Sequence, residues 1–259
     1  MSDYQVIHAG GENRVLSLHP RSMPVGDPRH CSSVCGVGAG PEIIPRKDWP
    51  REVDLGDEVL EILNQGSLSL CHSFGSTTVN EVAERVAGRK DVRLSAGNLA
   101  GQVTGYRNAG ASVQDVFAVL ITKGQVPRSL IGQNDYQGRD WPKGWQEEAL
   151  KYRAIGHDCG QSSETIDALV SGLIRRDPGA LGTSAFGGGH LVASTGYKLD
   201  AQGRLRLNGP NSWGGDWTNC GRPGYWEFGE SSLRDIASYG AYIVQAVVWN
   251  PDDEPPTIG

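Results

Sequence analysis

The clearest pattern along the chain is a 3.6-residue apolar repeat after Ser112. Val113, Val116, Phe117, Leu120 and Ile121 fall at i, i+3, i+4, i+7 and i+8 and predict an amphipathic helix. Ser112 and Asp115 have capping-box spacing, and Gly124 follows the last turn. The same spacing recurs from Ser163 through Ile166, Leu169, Val170, Leu173 and Ile174, until Asp177-Pro178 ends it. A third helix is predicted over 71–87, where Cys71, Phe74, Thr78, Val82 and Val86 lie near one face and Gly88 follows as a stop signal. Further on the character changes. Leu191 to Tyr197, Arg204 to Leu207, Tyr225 to Phe228 and Ala241 to Trp249 are short runs rich in Val, Ile, Tyr and Trp, separated by Gly, Asn and Asp turns, and predict strands. Residues 1 to about 48 carry neither period and are expected as an irregular extension, and Asn250 to Gly259 reads as a solvated tail. Helices first and strands later suggest an α+β architecture with two unlike lobes.

Composition narrows the function classes. A chain of 259 residues has the size of one large domain or two modest ones around a cleft. Its longest plain apolar run, Val116 to Ile121, falls far short of the roughly 20 residues of a membrane span. Asp3 lies where a signal peptide needs basic residues, and no apolar stretch follows. The formal net charge is −6, with 24 Lys+Arg against 30 Asp+Glu in mixed clusters, which argues against a nucleic-acid partner. Glycine occurs 36 times, roughly twice ordinary usage, scattered among apolar residues in the manner of turns and close backbone approaches. The five cysteines, Cys31, Cys35, Cys71, Cys159 and Cys220, are an odd number in a chain too long to need a disulfide framework, so at least one unpaired thiol is expected.

Cys71 stands at the start of its predicted helix, where backbone N–H groups and the macrodipole favour a thiolate. A nucleophilic thiolate needs a base, a group that orients the base, and donors for an oxyanion. Three segments supply candidates: Asn64-Gln65-Gly66-Ser67-Leu68-Ser69-Leu70-Cys71-His72-Ser73-Phe74, Gly188-Gly189-His190-Leu191-Val192-Ala193-Ser194-Thr195-Gly196-Tyr197, and Asn211-Ser212-Trp213-Gly214-Gly215-Asp216-Trp217 with Gly224-Tyr225.

These segments resemble, in order, the N-Q-G-S-C-G-S-C-W-A-F, G-H-A-V-x-x-V-G-Y and N-S-W-G-x-x-W-G-x-x-G-Y motifs of papain-like cysteine peptidases. His190 and Asn211 lie 119 and 140 residues after Cys71, slightly short of and within the family's spacing of roughly 130 to 150. Ile44-Pro45-Arg46-Lys47-Asp48-Trp49 is similar to the opening of the mature enzymes, and Gly110-Ala111-Ser112 to the glycine-rich wall before their second helix. The resemblance, to a divergent prokaryotic- or phage-like member, implies a helical lobe and an antiparallel β-barrel-like lobe with the active-site cleft between them. It bounds a peptidase domain over 44–249, between an extension over 1–43 and the tail. By the same resemblance Cys71 is the nucleophile, His190 its acid/base partner and Asn211 the orienting residue. Gln65 is an oxyanion donor, Trp213 and Trp217 shield the Asn–His bond, and Gly110 lines the substrate site. No cofactor or metal is implied.

The departures carry expectations of their own. Leu68 stands where the family has a disulfide cysteine, which suits a reducing compartment, cytoplasmic or inside a particle. His72 replaces an aromatic residue and reads as a cap or packing residue. Residues 219–223 are an insertion, and no helical inhibitory propeptide is evident, so any restraint must differ. His30, Cys31 and Cys35 cluster, but structural zinc needs four ligands at recognisable spacing. His157, Asp158 and Cys159 sit too close in sequence to meet as nucleophile and base, and Cys159 and Cys220 read as structural. Trp141 and Trp145 read as core or rim aromatics. The expected partner is a peptide or protein substrate. The alternative is a peptidase-fold component of a larger assembly, such as a phage particle, that holds the termini; transglutamination, which shares the mechanism, fits the motifs less well.

Overall fold

The computed structural model describes residues 5–9, 12–16, 18, 42–160 and 164–246. The cluster of His30, Cys31 and Cys35, the helix start at Ser163 and the tail over 250–259 lie outside them. Six helices are described: α1 (Cys71–Val86), α2 (Ala96–Thr104), α3 (Val113–Thr122), α4 (Trp145–Ala149), α5 (Thr165–Ile174) and α6 (Ile236–Tyr239). Ten strands accompany them: β1 (Gln5–Ala9), β2 (Glu12–Leu16), β3 (Glu52–Asp54), β4 (Ala154–Asp158), β5 (Gly179–Thr183), β6 (His190–Ser194), β7 (Gly196–Leu199), β8 (Leu205–Pro210), β9 (Tyr225–Gly229) and β10 (Ala241–Ala246). Among the described residues no helix is long and apolar enough to cross a membrane.

The three helices of residues 71–122 pack on one another, with α1 at the centre: Cys71 to Glu84 are all buried. Its inner face meets β5, β6 and β10. One core lies at this junction, where Val79, Leu99, Val116, Phe117, Leu191 and Tyr242 meet, with Phe117 stacked on Tyr242 at 4.5 Å. A second core joins α5 to both sheets through Leu169, Leu173, Val192, Tyr197, Leu207 and Trp226. Burial of each such side chain stabilises the fold by about 1.5–3 kcal/mol.

The antiparallel sheets expected of the α+β fold are present. They are two open, four-stranded, antiparallel sheets in the orders β4-β10-β5-β6 and β3-β7-β8-β9, with no closed barrel among the described residues. The predicted run Leu191 to Tyr197 is two strands. At Thr195 the chain leaves one sheet for the other, its N–H bonding Asn208 O (3.1 Å) and its carbonyl accepting from Leu55 N–H (2.8 Å). Residues expected to be irregular include the hairpin β1–β2, in register from Gln5↔Leu16 to Ala9↔Glu12. Five-residue strands are too short to declare a period; the sequence signal was Gly10-Gly11 between the short runs that hold Val6-Ile7 and Val15-Leu16. Helix α2 was missed because Gly97 and Gly101 break its apolar pattern. A Cβ on Gly97 would lie 2.5 Å from Asp135 N, and one on Gly101 2.6 Å from Tyr136 O, so both glycines serve the crossing of residues 133–136.

Candidate active site

Cys71 is the first residue of α1, completely buried, with Leu70 as an N-cap that offers no side-chain bond. Gly75, one turn on, sets the helix against β6, since a Cβ there would fall 2.3 Å from Leu191 Cδ2. His190, the first residue of β6, precedes that contact by one residue. The nucleophile candidate and the base candidate thus flank one helix–strand contact.

The ring of His190 has a defined tautomer. Asn211 Oδ1 accepts from Ser212 N–H (2.8 Å), which fixes the amide, and the same oxygen lies 2.8 Å from His190 Nε2. An oxygen acceptor there requires Nε2 to carry the proton. Nδ1 then holds the lone pair, buried and without a hydrogen-bond partner among the described residues. Burial pushes the imidazole pKa down to about 4, against the opposing pull of Asn211, so the ring is a neutral base at pH 7.

Two segments far apart in sequence converge beside it. Gln65 N–H donates to Ser212 O (2.9 Å), Gly214 N–H to Leu63 O (3.0 Å), and Asn64 pairs with Trp213 in a β-bridge. Ser212 Oγ donates to Gln65 Oε1 (2.6 Å), and Gln65 Nε2 donates one of its hydrogens to Leu68 O (2.7 Å). The amide of Gln65 is therefore oriented with its nitrogen toward the 68–71 turn. Ser212, which the motif reading passed over, links Gln65 to Asn211 through its hydroxyl and its backbone.

Aromatic rings close the far side. Trp213, buried, lies over His190 with centroids 4.7 Å apart and a 30° tilt, and Trp217 meets Trp213 edge-on at 5.1 Å. Phe186 stands edge-on to His190 (5.0 Å) and Trp213 (5.4 Å). Sequence reading missed Phe186; its one signal is an aromatic four residues before His190 in a glycine-rich turn.

With this geometry in view, the comparisons with solved structures are specific. Xylellain, a cysteine protease from Xylella fastidiosa, superposes with a TM-score of 0.66 at 18% identity, over 94% of this chain and 98% of that one. Digestive procathepsin L 3 of Tenebrio molitor larval midgut gives 0.60 at 21% identity, over 79% and 73%. Bromelain from Ananas comosus, in complex with the E64 inhibitor, gives 0.57 at 17% identity, over 76% and 99%. The chain has the papain-like fold. No protein-family model matches the sequence, and no curated protein sequence does.

Within the papain-like fold, the departures have structural answers. Leu68, in place of a cysteine, packs on the apolar cluster of Leu63, Leu70, Phe74, Ala96 and Ala100. His72 is buried, its Nε2 donating to Ala109 O (3.1 Å) and its Nδ1 accepting from Ser73 Oγ (2.7 Å). Together with Asn108 Oδ1, which accepts from Ser69 N–H (2.7 Å), it ties the loop that carries Gly110 to the start of α1. The 219–223 insertion folds back on β3: Arg222 pairs with Asp54 (3.1 Å) and lies over the Tyr225 ring at 3.6 Å. Cys159 follows β4, its N–H on Ala241 O (2.9 Å), and Cys220 is exposed. His157 and Asp158 point to opposite sides of β4, in line with its alternating burial. Trp141 and Trp145 pack edge-on at 5.0 Å over Val126, Ile131 and Ala149.

Proposed function

We propose that the chain is a cysteine peptidase that hydrolyses peptide bonds through a thioester acyl-enzyme on Cys71. The observation that carries this reading is the His190 tautomer: Asn211, itself locked by Ser212, leaves the lone pair on Nδ1. In the proposed cycle Nδ1 takes the Cys71 proton and the thiolate attacks the scissile carbonyl carbon. The oxyanion is held by the Cys71 backbone N–H and Gln65 Nε2. Collapse breaks the C–N bond, and the imidazolium returns its proton to the leaving amine. Water, deprotonated by His190, then cleaves the thioester, releasing the carboxylate and restoring the thiol. Trp213 and Trp217 exclude water from the Asn211–His190 bond, and the low dielectric strengthens it.

A thiol-directed epoxide with mass-spectrometric mapping tests the reading alongside hydrolysis of a fluorogenic peptide library. The wild-type chain is expected to carry the label on Cys71 and to turn over peptides. Cys71→Ala should lose both, with hydrolysis falling by at least about 10³-fold. Peptide hydrolysis that survives undiminished in Cys71→Ala overturns the assignment.

A further inference from the structure

The turn that carries Phe186 is held by a residue outside the site. Thr183, the last residue of β5, is the cross-strand partner of His190, the first of β6. Between them the chain turns over 184–187, where Gly187 N–H donates to Ser184 O (2.8 Å) and Gly187 takes a left-handed φ of 94°. Asp235 grips the start of that turn twice: Thr183 Oγ1 donates to its Oδ1 (3.0 Å), and Ser184 N–H donates to its Oδ2 (2.7 Å). Thr183 Oγ1 in turn accepts from Ala185 N–H (3.1 Å). Asp235 is the N-cap of α6, where an aspartate usually bonds the first-turn N–H groups of its own helix, yet its side chain makes no such bond. The carboxylate serves the turn instead.

The turn delivers Phe186 to one wall of a slot. The Trp213 ring lies over His190 with a tilt of 30°, and the Phe186 ring stands at 75° to the imidazole. Phe186 also meets Trp217 at 5.9 Å and Phe228 at 5.1 Å, which fixes its own plane. With walls at these two angles, rotation of the imidazole about its Cβ–Cγ bond drives it into one aromatic ring or the other. We propose that Asp235 is a positioning residue for His190: by holding the 183–187 turn it sets Phe186, and through that ring the plane in which the imidazole presents Nδ1. The kinetic consequence rests on the peptidase reading of the site; the structural one does not. Asp235 acts through its hydrogen bonds and not through its field, since burial and the opposing Asn211 bond account for the lowered pKa of His190. A base misplaced by about 1 Å can cost about 10²-fold in rate, so a carboxylate that touches neither Cys71 nor His190 has leverage on the chemistry.

The test compares the full-length wild type with Asp235→Ala, Asp235→Asn and Phe186→Ala, at a temperature where thermal melts show each to be folded. Thr183→Val, which removes the Oγ1 that bonds Asp235 and Ala185 N–H, stands in for Asp235→Ala if the latter does not fold. Exchange of the His190 Nε2 proton with water is read first, by nitrogen-edited NMR, and then kcat and KM on a fluorogenic peptide. In the two alanine variants exchange should speed up at least about ten-fold, and kcat should fall about 10- to 100-fold with KM changed less than about 3-fold. Asp235→Asn, which keeps an oxygen acceptor without the charge, should recover most of both losses. Unchanged exchange in both alanine variants overturns the proposal, as does an Asp235→Asn as impaired as Asp235→Ala, the mark of a charge effect. Faster exchange in the alanine variants of a chain that hydrolyses no peptide upholds the positioning role and overturns the peptidase reading.

Discussion

Helix α3 begins with a complete capping box, whereas α1 begins at a leucine N-cap that makes no side-chain cap bond. Ser112 Oγ accepts from Asp115 N–H (3.1 Å), and Asp115 returns the bond to Ser112 N–H (3.3 Å). Helix α2 is capped likewise by Ser95, which accepts from Asn98 N–H (3.0 Å). At α1 the N-cap is Leu70, and the helix start is held from outside, through His72 to Ala109 and Asn108 to Ser69. A cap satisfies the first-turn N–H groups with a resident oxygen, and a nucleophile at that place would compete with it for the same positive potential. Helices α2 and α3 close their own N-terminal ends; the helix with the candidate nucleophile leaves that task to tertiary contacts.

Three measurements press on that contrast. The largest effect is expected in the last turn of α1, where burial raises Glu84 from its ordinary 4.5 to about 7, against the pull of Arg89 at 2.8 Å. A carboxyl with a raised folded pKa contributes stability that is fully present below pH 4.5 and lost as the pH climbs through 7. Glu84→Gln should therefore gain up to about 3 kcal/mol on wild type between pH 4.5 and pH 8, read from urea melts at the two values. A constant difference between the two proteins would show that Glu84 is ionised throughout. Next comes His72→Phe, which keeps the ring volume but leaves Ala109 O without its donor. Loosening the Gly110 loop in this way should raise KM about 10-fold with kcat little changed; a fall in kcat alone would place His72 in the proton chemistry instead. The smallest effect belongs to Ser112→Ala. Loss of that cap should cost about 1 kcal/mol of stability at unaltered kcat/KM, and a matching loss of activity would show that α3 is coupled to the site after all.

Several parts of this molecule were readable as a string. The α3 repeat and its Ser112–Asp115 box are local, and the helix formed where the pattern put it. The helix starting at Cys71 was legible for the same reason, as were β8, β9 and β10 to within a few residues. Other parts depended on partners remote in sequence. Strand β5, Gly179–Thr183, has too little side chain to show a period, and its glycines are set by Leu169, Leu18 and Tyr239 pressing on them. The antiparallel lobe was legible, but its division into two open sheets was not, since the chain changes sheets at Thr195 through bonds to Leu55 and Asn208. Phe186 lies in none of the three motifs, Ser212 lies in one with no role assigned to it, and their places beside His190 and Gln65 exist only as contacts.

The sequence by itself determined which residue types stand at which intervals: a cysteine at a helix start, a histidine opening a strand, and Asn-Ser-Trp after it, because hydrophobic period, caps and turn residues act over a few positions. The tertiary structure alone decided the chemistry those residues can share. The proton on His190 Nε2 is fixed by an amide that Ser212 orients, and the amide of Gln65 is turned by a hydroxyl 147 residues away. Such bonds are short-ranged in space and blind to distance along the chain. Only the packed lobes, with Gly75 against Leu191 and Leu18 beside Gly189, bring their partners within reach.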